Sequence, residues 1–446
     1  ASLDEEALVL LSENSPHDLQ GQVAQALRAR LASSADPAEL RAYSTIWAIE
    51  FRTRPVKEHP ELRRQVAADA ARLASLAGAD APLLEVAANG LKQGNAPAVR
   101  VRAAEDRILK EFPCAEQALN VLRARWNEAN KRPEPAAPAE EWDRWARASA
   151  AAIERWMAQF RHNYWLANSY FRTLALLPDA PAEKLLRAGE DWIRAGDNYW
   201  PPSGERLAVA AELLQRGIAT RRALEMVEAG IPLDRKDWER RYQRDTLVGE
   251  QLEGHRRWRE SMELGWLGLR LQAYRLAGKP ELAEKLAAEV EGSEPKHQDN
   301  LSQYWWNRAR LAHARRRLAD ATAFYVRAMQ TRKDEPRPFM GRIRDPLKEE
   351  ALDVWHAAAG SPDTFALLLA PLSRKAREET SSQWLRPTKE LPQFELADLN
   401  GNTWRLKALK GKALLINLWA TWCGPCKAEL PKIQKLYERV KDRNDL

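Results

Sequence analysis

Cysteine and histidine are scarce in this chain, three and seven in 446 residues. Three cysteines exclude a scaffold stapled by disulfides. A structural zinc site takes about four Cys or His ligands. Cys423 and Cys426 supply half of such a set and the last histidine, His356, lies far upstream, so zinc is set aside in favour of redox chemistry. Long apolar runs are also missing, and no stretch reaches the roughly 18 residues that suggest a membrane span. The chain opens Ala1-Ser-Leu-Asp-Glu-Glu6 with neither methionine nor a basic-then-apolar leader, as if a leader had been removed or this end were incomplete. Charge of one sign is nearly lacking, since 70 basic residues against 63 acidic leave +7, and more than half of that surplus falls after Thr388. So thin a surplus excludes a nucleic-acid stripe. Arg240-Arg241, Arg256-Arg257 and Arg315-Arg316-Arg317 read as solvated helix faces.

Residues 1 to about 375 have few β-branched side chains and much Ala, Leu, Arg and Glu. They read as helix after helix, with Pro or Gly at most breaks. A first helical region, 1–131, breaks at Asp36-Pro37, His59-Pro60, Ala81-Pro82 and Phe112-Pro113. The stretch Lys131-Arg-Pro-Glu-Pro-Ala-Ala-Pro138 reads as a semi-rigid linker or a long loop. A second helical region spans 140–375. Within it, Tyr274-Arg-Leu-Ala-Gly278-Lys-Pro-Glu-Leu-Ala283 resembles the turn between the paired helices of a tetratricopeptide repeat. Trp305, Ala309, Ala321, Tyr325 and Ala328 come close to the same spacing again. Ala283 and Ala321 lie 38 apart instead of about 34, so the expected array is an irregular solenoid in which each hairpin buries its apolar face on the next.

Cys114, in Phe112-Pro-Cys-Ala-Glu-Gln117, reads as a small buried residue starting or lining a helix. Of the 18 tryptophans, all but three precede Leu391. The clusters Trp142/Trp145, Tyr164-Trp165 and Tyr304-Trp305-Trp306 read mainly as inter-helix packing. Tyr199-Trp200, followed by two prolines at a helix break, is the cluster singled out for binding. Residues 332–346 read as a loop between helices.

The chemistry concentrates near the end of the chain. Ala413 to Ala420 suits a short buried strand and runs straight into Cys423-Gly-Pro-Cys426. Leu430, Ile433, Leu436, Tyr437 and Val440 then fall on one helical face. With Pro425 in the first turn, Cys423 stands at the helix N-terminus, where unpaired N–H groups and the positive end of the dipole favour thiolate over thiol. Lowering a cysteine pKa from about 8.5 to about 7 raises the thiolate fraction at neutral pH from a few per cent to about half. Cys423 is the expected nucleophile. Cys426, one turn on and the more buried sulfur, is expected to resolve the mixed disulfide.

From about Leu391 onward the chain resembles the opening of a thioredoxin-like thiol–disulfide oxidoreductase of the TlpA/ResA type. The residues that carry the resemblance are Phe394-x-Leu396-x-Asp398-x-Asn-Gly401, Trp404-x-Leu406, Leu409-Lys-Gly-Lys412 and Trp419-Ala-Thr-Trp422-Cys-Gly-Pro-Cys426. The resemblance implies that Trp422 shields the cysteine pair, that Gly424 and Pro425 set its geometry, and that Glu429 modulates its reactivity. Asn417 occupies the place of a buried aspartate in thioredoxin, so Glu429 is the expected substitute for that proton-handling group. The later strands and the cis-proline loop of the family are not among these residues, and the segment reads as truncated, with impaired activity expected.

The expected fold is mainly α, a helical solenoid resembling tetratricopeptide repeats (TPR-like) followed, after a linker at 376–390, by the N-terminal part of a thioredoxin-like α/β domain at 391–446. The expected function is disulfide exchange, without a cofactor, with client proteins bearing disulfides and with a thiol electron donor. The Gly-Pro pair leans towards reduction, as in thioredoxin at about −270 mV against about −120 mV for a strong oxidant. The resemblance implies a periplasmic or extracytoplasmic location. The competing expectation is a helical protein-binding scaffold whose redox segment is not catalytic.

Overall fold

Proline and aspartate punctuate the chain where helices begin. In the computed structural model, α1 (His17–Leu31), α2 (Pro37–Leu40), α3 (Tyr43–Thr53), α4 (Glu61–Ser75), α5 (Ala81–Gln93), α6 (Ala98–Glu111) and α7 (Glu116–Ala129) form the first stretch. Asp36 caps α2 by accepting the Ala38 N–H at 2.9 Å, and Asp80 caps α5 by accepting that of Leu83 at 3.0 Å. Pro37 and Pro82 occupy first-turn positions, where the missing N–H has no intrahelical partner to lose. The structure describes residues 17–53, 59–199, 204–242, 249–333, 338–339, 342–343, 345–358, 360–369, 394–397, 402–409, 417, 430–431, 433–438 and 441.

The helices continue with α8 (Ala139–Gln159), α9 (Tyr164–Leu174), α10 (Ala182–Tyr199), α11 (Gly204–Gln215), α12 (Thr220–Tyr242), α13 (Glu250–Leu276), α14 (Pro280–Lys285) and α15 (Ala287–Gly292). Next come α16 (Leu301–Ala314), α17 (Leu318–Thr331), α18 (Pro346–Ala357) and α19 at 362–369. The chain is mainly α, and two units divide it, Ala1–Leu372 and Ser373–Leu446. In the first unit helices pack chiefly on near neighbours in sequence, α4 on α5, α9 on α10, α11 on α12, α13 on α16, α16 on α17 and α17 on α18. One core runs from Ala24 to Leu311, and a second gathers Ala309, Ala321, Tyr325, Leu347 and Val354 under the last helices.

The proline-rich stretch after α7 is tied down. Trp142 and Trp145 donate their indole N–H groups to the carbonyls of Glu134 and Asn130 at 3.2 and 3.3 Å. The Arg132 guanidinium lies 5.5 Å from both rings. Cys114, expected to be buried, is exposed. It sits in the turn after Phe112, ahead of α7, and Ala118 and Leu119 supply the buried face in its place. Residues 332–346 are not all loop, since Pro338 pairs with Ile343 and Phe339 with Arg342 in a short antiparallel ladder. Pro232 lies inside α12 instead of ending it. Val227, Ile231 and Trp238 bury the helix on either side of the proline, and their packing offsets a helix-interior proline's cost of about 3 kcal/mol.

The two hairpin turns marked in the sequence close in the same way. After α13, the Gly278 N–H bonds the Arg275 carbonyl and the Lys279 N–H reaches back to Tyr274 at 2.8 Å, with Gly278 at φ +69°. After α16, the Arg316 N–H bonds His313 and the Arg317 N–H reaches Ala312 at 2.9 Å, with Arg316 at φ +58°. Both are Schellman closures, and they are separated by the same interval as Ala283 and Ala321. Both alanines are fully buried.

A charged cluster joins α13, α16, α17 and α18. Glu350 accepts two bonds from Arg310, at 2.9 and 2.6 Å, one from Trp306 Nε1 at 2.9 Å, one from the Tyr325 hydroxyl at 3.0 Å and one from Gln272 at 3.3 Å. Gly268 lets α16 approach, because a Cβ there would lie 2.4 Å from Asn307 Oδ1 and 2.8 Å from Arg310 Nη1. Burial pushes the Glu350 carboxyl upward, but the Arg310 guanidinium and the surrounding donors hold it below the usual range. Beside this cluster His313 has its Nδ1 buried without a hydrogen-bond partner among the described residues. Burial first, and then the Arg275 charge, push its pKa down to about 4.

This depression carries a pH signature. Between about pH 6.5 and 4 the unfolded chain protonates His313 while the fold keeps it neutral, so its contribution to stability is complete above pH 6.5 and is lost as pH falls towards 4. Asp69 and Asp353, raised by burial, act in the opposite sense over overlapping pH values. The effect is therefore read as a difference between proteins. Wild type is expected to lose thermal stability relative to His313→Leu as pH drops from 7 to 4.5, measured by circular dichroism melts, and parallel profiles would contradict the assignment.

Candidate functional site

In the second unit, β1 (Glu395–Ala397) and β2 (Thr403–Arg405) form an antiparallel hairpin with Glu395 opposite Arg405, Leu396 opposite Trp404 and Ala397 opposite Thr403. Arg405 donates to the Glu395 carboxylate at 2.8 Å across the strands. The Leu406 N–H bonds the Phe394 carbonyl, and Leu406–Leu409 turns as a 3-10 helix. Residues 430–431 and 433–438 are helical, as the periodicity after the cysteines requires. Leu396, Trp404, Leu436 and Tyr437 are exposed, with Leu396 at 62%.

Of the residues expected at the redox site, Asn417 is half-buried and its Nδ2 has no hydrogen-bond partner among the described residues. Trp422, Cys423, Gly424, Pro425, Cys426 and Glu429 lie outside the described residues. Trp200 does too. Tyr199 ends α10, with its side chain likewise outside the description. Among the other aromatic clusters, Trp142 and Tyr304 are buried, whereas Trp165 is 52% exposed.

Sequence reasoning missed a groove of about 660 Å³ in the first unit, lined from α9, α10 and α11 and from α16 and α18. Its aromatic floor is the pair Phe171 and Trp192, with ring centroids 5.6 Å apart, and the Arg172 guanidinium stands 5.5 Å from the Trp192 ring. Trp306 also lines it, and a Gln215 to Glu349 hydrogen bond ties α11 to α18 nearby. The residues that meet here come from segments more than a hundred positions apart, and no motif links them. A larger hollow of about 890 Å³ beside α13 is rich in glutamate. There Glu260 has a structural task, accepting the Lys296 and His297 N–H groups and the Asn300 amide. Burial pushes its carboxyl up, and these donors bring it below the usual range.

No helix among the described residues is long and apolar enough to cross a membrane. Residues 387–444 match the AhpC/TSA family. The thiol-disulfide oxidoreductase ResA of Bacillus thuringiensis (strain Al Hakam) is 46% identical over 55 residues, 12% of this chain and 32% of that protein. The thioredoxin-like protein YneN of Bacillus subtilis (strain 168) is 42% identical over 55 residues, with the same coverage of 12% and 32%. ResA of the same strain is 43% identical over 54 residues, 12% of this chain and 30% of that protein. The chain thus spans about a third of the length of these curated relatives. No solved structure matches it with significance. The C-terminal segment therefore matches the AhpC/TSA family and is similar to the thioredoxin-like ResA proteins, and it follows a long helical region that lies outside the family match.

Proposed function

We propose that this protein exchanges disulfides with client proteins through Cys423 and Cys426, and that its TPR-like helical region holds the clients. The observation that carries the reading is the Cys423-Gly-Pro-Cys426 motif within residues 387–444, the segment that matches the AhpC/TSA family, together with the likeness to thiol-disulfide oxidoreductase ResA at 46% identity over 55 residues. The Cys423 thiolate attacks one sulfur of a client disulfide, forming a mixed disulfide and releasing the other client sulfur as thiolate. The Cys426 thiolate then attacks the Cys423 sulfur, freeing the second client thiol and leaving a Cys423–Cys426 disulfide. Two electrons have passed to the client, and a thiol donor restores the reduced pair.

In this reading Trp422 covers the pair, Gly424 and Pro425 set the turn, and Glu429 with Asn417 tunes proton transfer. The helical blocks 1–131 and 140–375 present the client, and 376–390 tethers them to the redox segment 391–446. Such a tether raises the effective concentration of the thiols near whatever the helices hold. An extracytoplasmic compartment, where disulfides persist, suits this chemistry. The test is reduction of insulin by the protein with dithiothreitol as donor, before and after alkylation of the reduced cysteines. Alkylation is expected to abolish the reduction above the dithiothreitol background, and an unchanged rate would overturn the proposal.

A further inference from the structure

The groove floored by Phe171 and Trp192 holds a charge that no described residue neutralises. Glu212 is paired with Arg216 at 2.6 Å, and Arg332 takes the Asp345 carboxylate through two bonds of 2.7 and 2.9 Å. Asp299 serves two cations, Lys333 at 2.6 Å and Arg257 at 3.2 Å. Arg172 lines the same groove, partly buried, and among the described residues no carboxylate stands within ion-pair distance of it. Among the described residues it stands over the Trp192 ring. The other charged residues of the lining, Glu212, Asp299, Arg332 and Asp345, are thus each engaged by an opposite charge, and Arg172 stands over an apolar, aromatic floor without such a partner among the described residues.

We propose that this groove binds an extended peptide segment of a client in which an acidic side chain stands beside an aromatic or aliphatic one. The acid forms a charge-assisted pair with the Arg172 guanidinium, whose planar fork suits a carboxylate. The apolar neighbour lies against the Trp192 and Trp306 rings. Stacking on Trp192 pre-orients the guanidinium, so little freedom is lost when the acid arrives. At about 660 Å³ the groove falls within the ~300–1,000 Å³ of ordinary ligand sites. Its walls come from helices remote in sequence, so an extended occupant touches both. The occupant's identity as a client rests on the reading of the helical region as the client-holding part. The binding test below is independent of disulfide exchange.

The probes are two capped pentapeptides, acetyl-Ala-Phe-Glu-Leu-Ala-amide and its Gln counterpart, titrated calorimetrically into the full chain with its cysteines carbamidomethylated. Neither probe has a thiol or a free terminal carboxylate. The acidic peptide is expected to bind about tenfold more tightly than the amide. Arg172→Gln should bring that ratio to about one with the melting profile retained, and Arg172→Lys should restore part of it. Equal affinities in the wild type, a ratio that survives Arg172→Gln, or no measurable binding would overturn the proposal. So would 3-phenylpropionate binding as tightly as the acidic peptide, which would make the site one for small acids. Failure here leaves insulin reduction untouched, and failure of insulin reduction leaves this binding ratio untouched.

Discussion

Replacing Glu350 with alanine is expected to destabilise the last helices of the first unit by about 3–5 kcal/mol, the usual cost of removing one partner from a buried ion pair. Glu350 and Arg310 are 8% and 7% exposed, so the guanidinium left behind would be an uncompensated buried charge. Trp306 Nε1 and the Tyr325 hydroxyl would lose their acceptor at the same time. The contrast is Arg315 with Glu284, bonded at 2.6 and 2.7 Å at the surface, where water screens the pair and it contributes little. Hydrogen exchange followed by mass spectrometry reads the difference locally. Amides of α16, α17 and α18 should exchange at least about a hundredfold faster in Glu350→Ala, while those of α4 and α5 keep their protection. Arg310→Met combined with Glu350→Met should cost less than the sum of the single replacements, because the pair is then removed together. Additive losses, or unchanged exchange in Glu350→Ala, would show that the cluster does not hold these helices.

Cys423→Ser is expected to remove disulfide exchange altogether, whereas Cys426→Ser should leave the first attack intact and stall it. The asymmetry follows from position. From sequence, Cys423 is expected at a helix start, where the N–H groups and the dipole would stabilise a thiolate, with Cys426 one turn on. Without Cys426 the mixed disulfide has no internal resolving thiol, so a complex with a disulfide-bearing peptide should accumulate and be released by dithiothreitol. Nonreducing electrophoresis checks this. Complexes trapped by Cys423→Ser in place of Cys426→Ser would reverse the assigned roles.

Much of the helical architecture was legible from local chemistry. Asp36-Pro37 and Ala81-Pro82 mark helix starts because cap and proline act within a few residues, and Gly278 marks a helix end because a left-handed closure favours glycine. Arg316 makes the same closure without glycine, so the sequence does not announce that turn, and only the repeated alanine spacing pointed to it. Pro232 misleads because burial along α12 outweighs the lost backbone bond. Cys114 misleads because small size alone does not say which side of a turn a residue takes.

The functional residues divide along the same line. Cys423 and Cys426 could be singled out as candidates because an apolar run, the cysteine pair and a helical periodicity are contiguous in sequence. The groove could not, because Arg172, Trp192 and Trp306 are brought together by helix stacking, and each of them separately reads as an ordinary helix residue. The glutamate network hides for the same reason. Gln272, Arg310, Tyr325 and Glu350 sit on four different helices, and their charges are indistinguishable in sequence from those of a solvated face.

The central claim is that Cys423 and Cys426 form a reversible dithiol–disulfide couple. Its most direct measurement is equilibration of the protein across a series of glutathione redox buffers, with the two sulfurs scored by differential alkylation and mass spectrometry. The account predicts a single two-electron transition shared by both cysteines, at a potential nearer to about −270 mV than to about −120 mV. Cysteines that titrate independently of each other, or that stay in one state across the whole series, would contradict it.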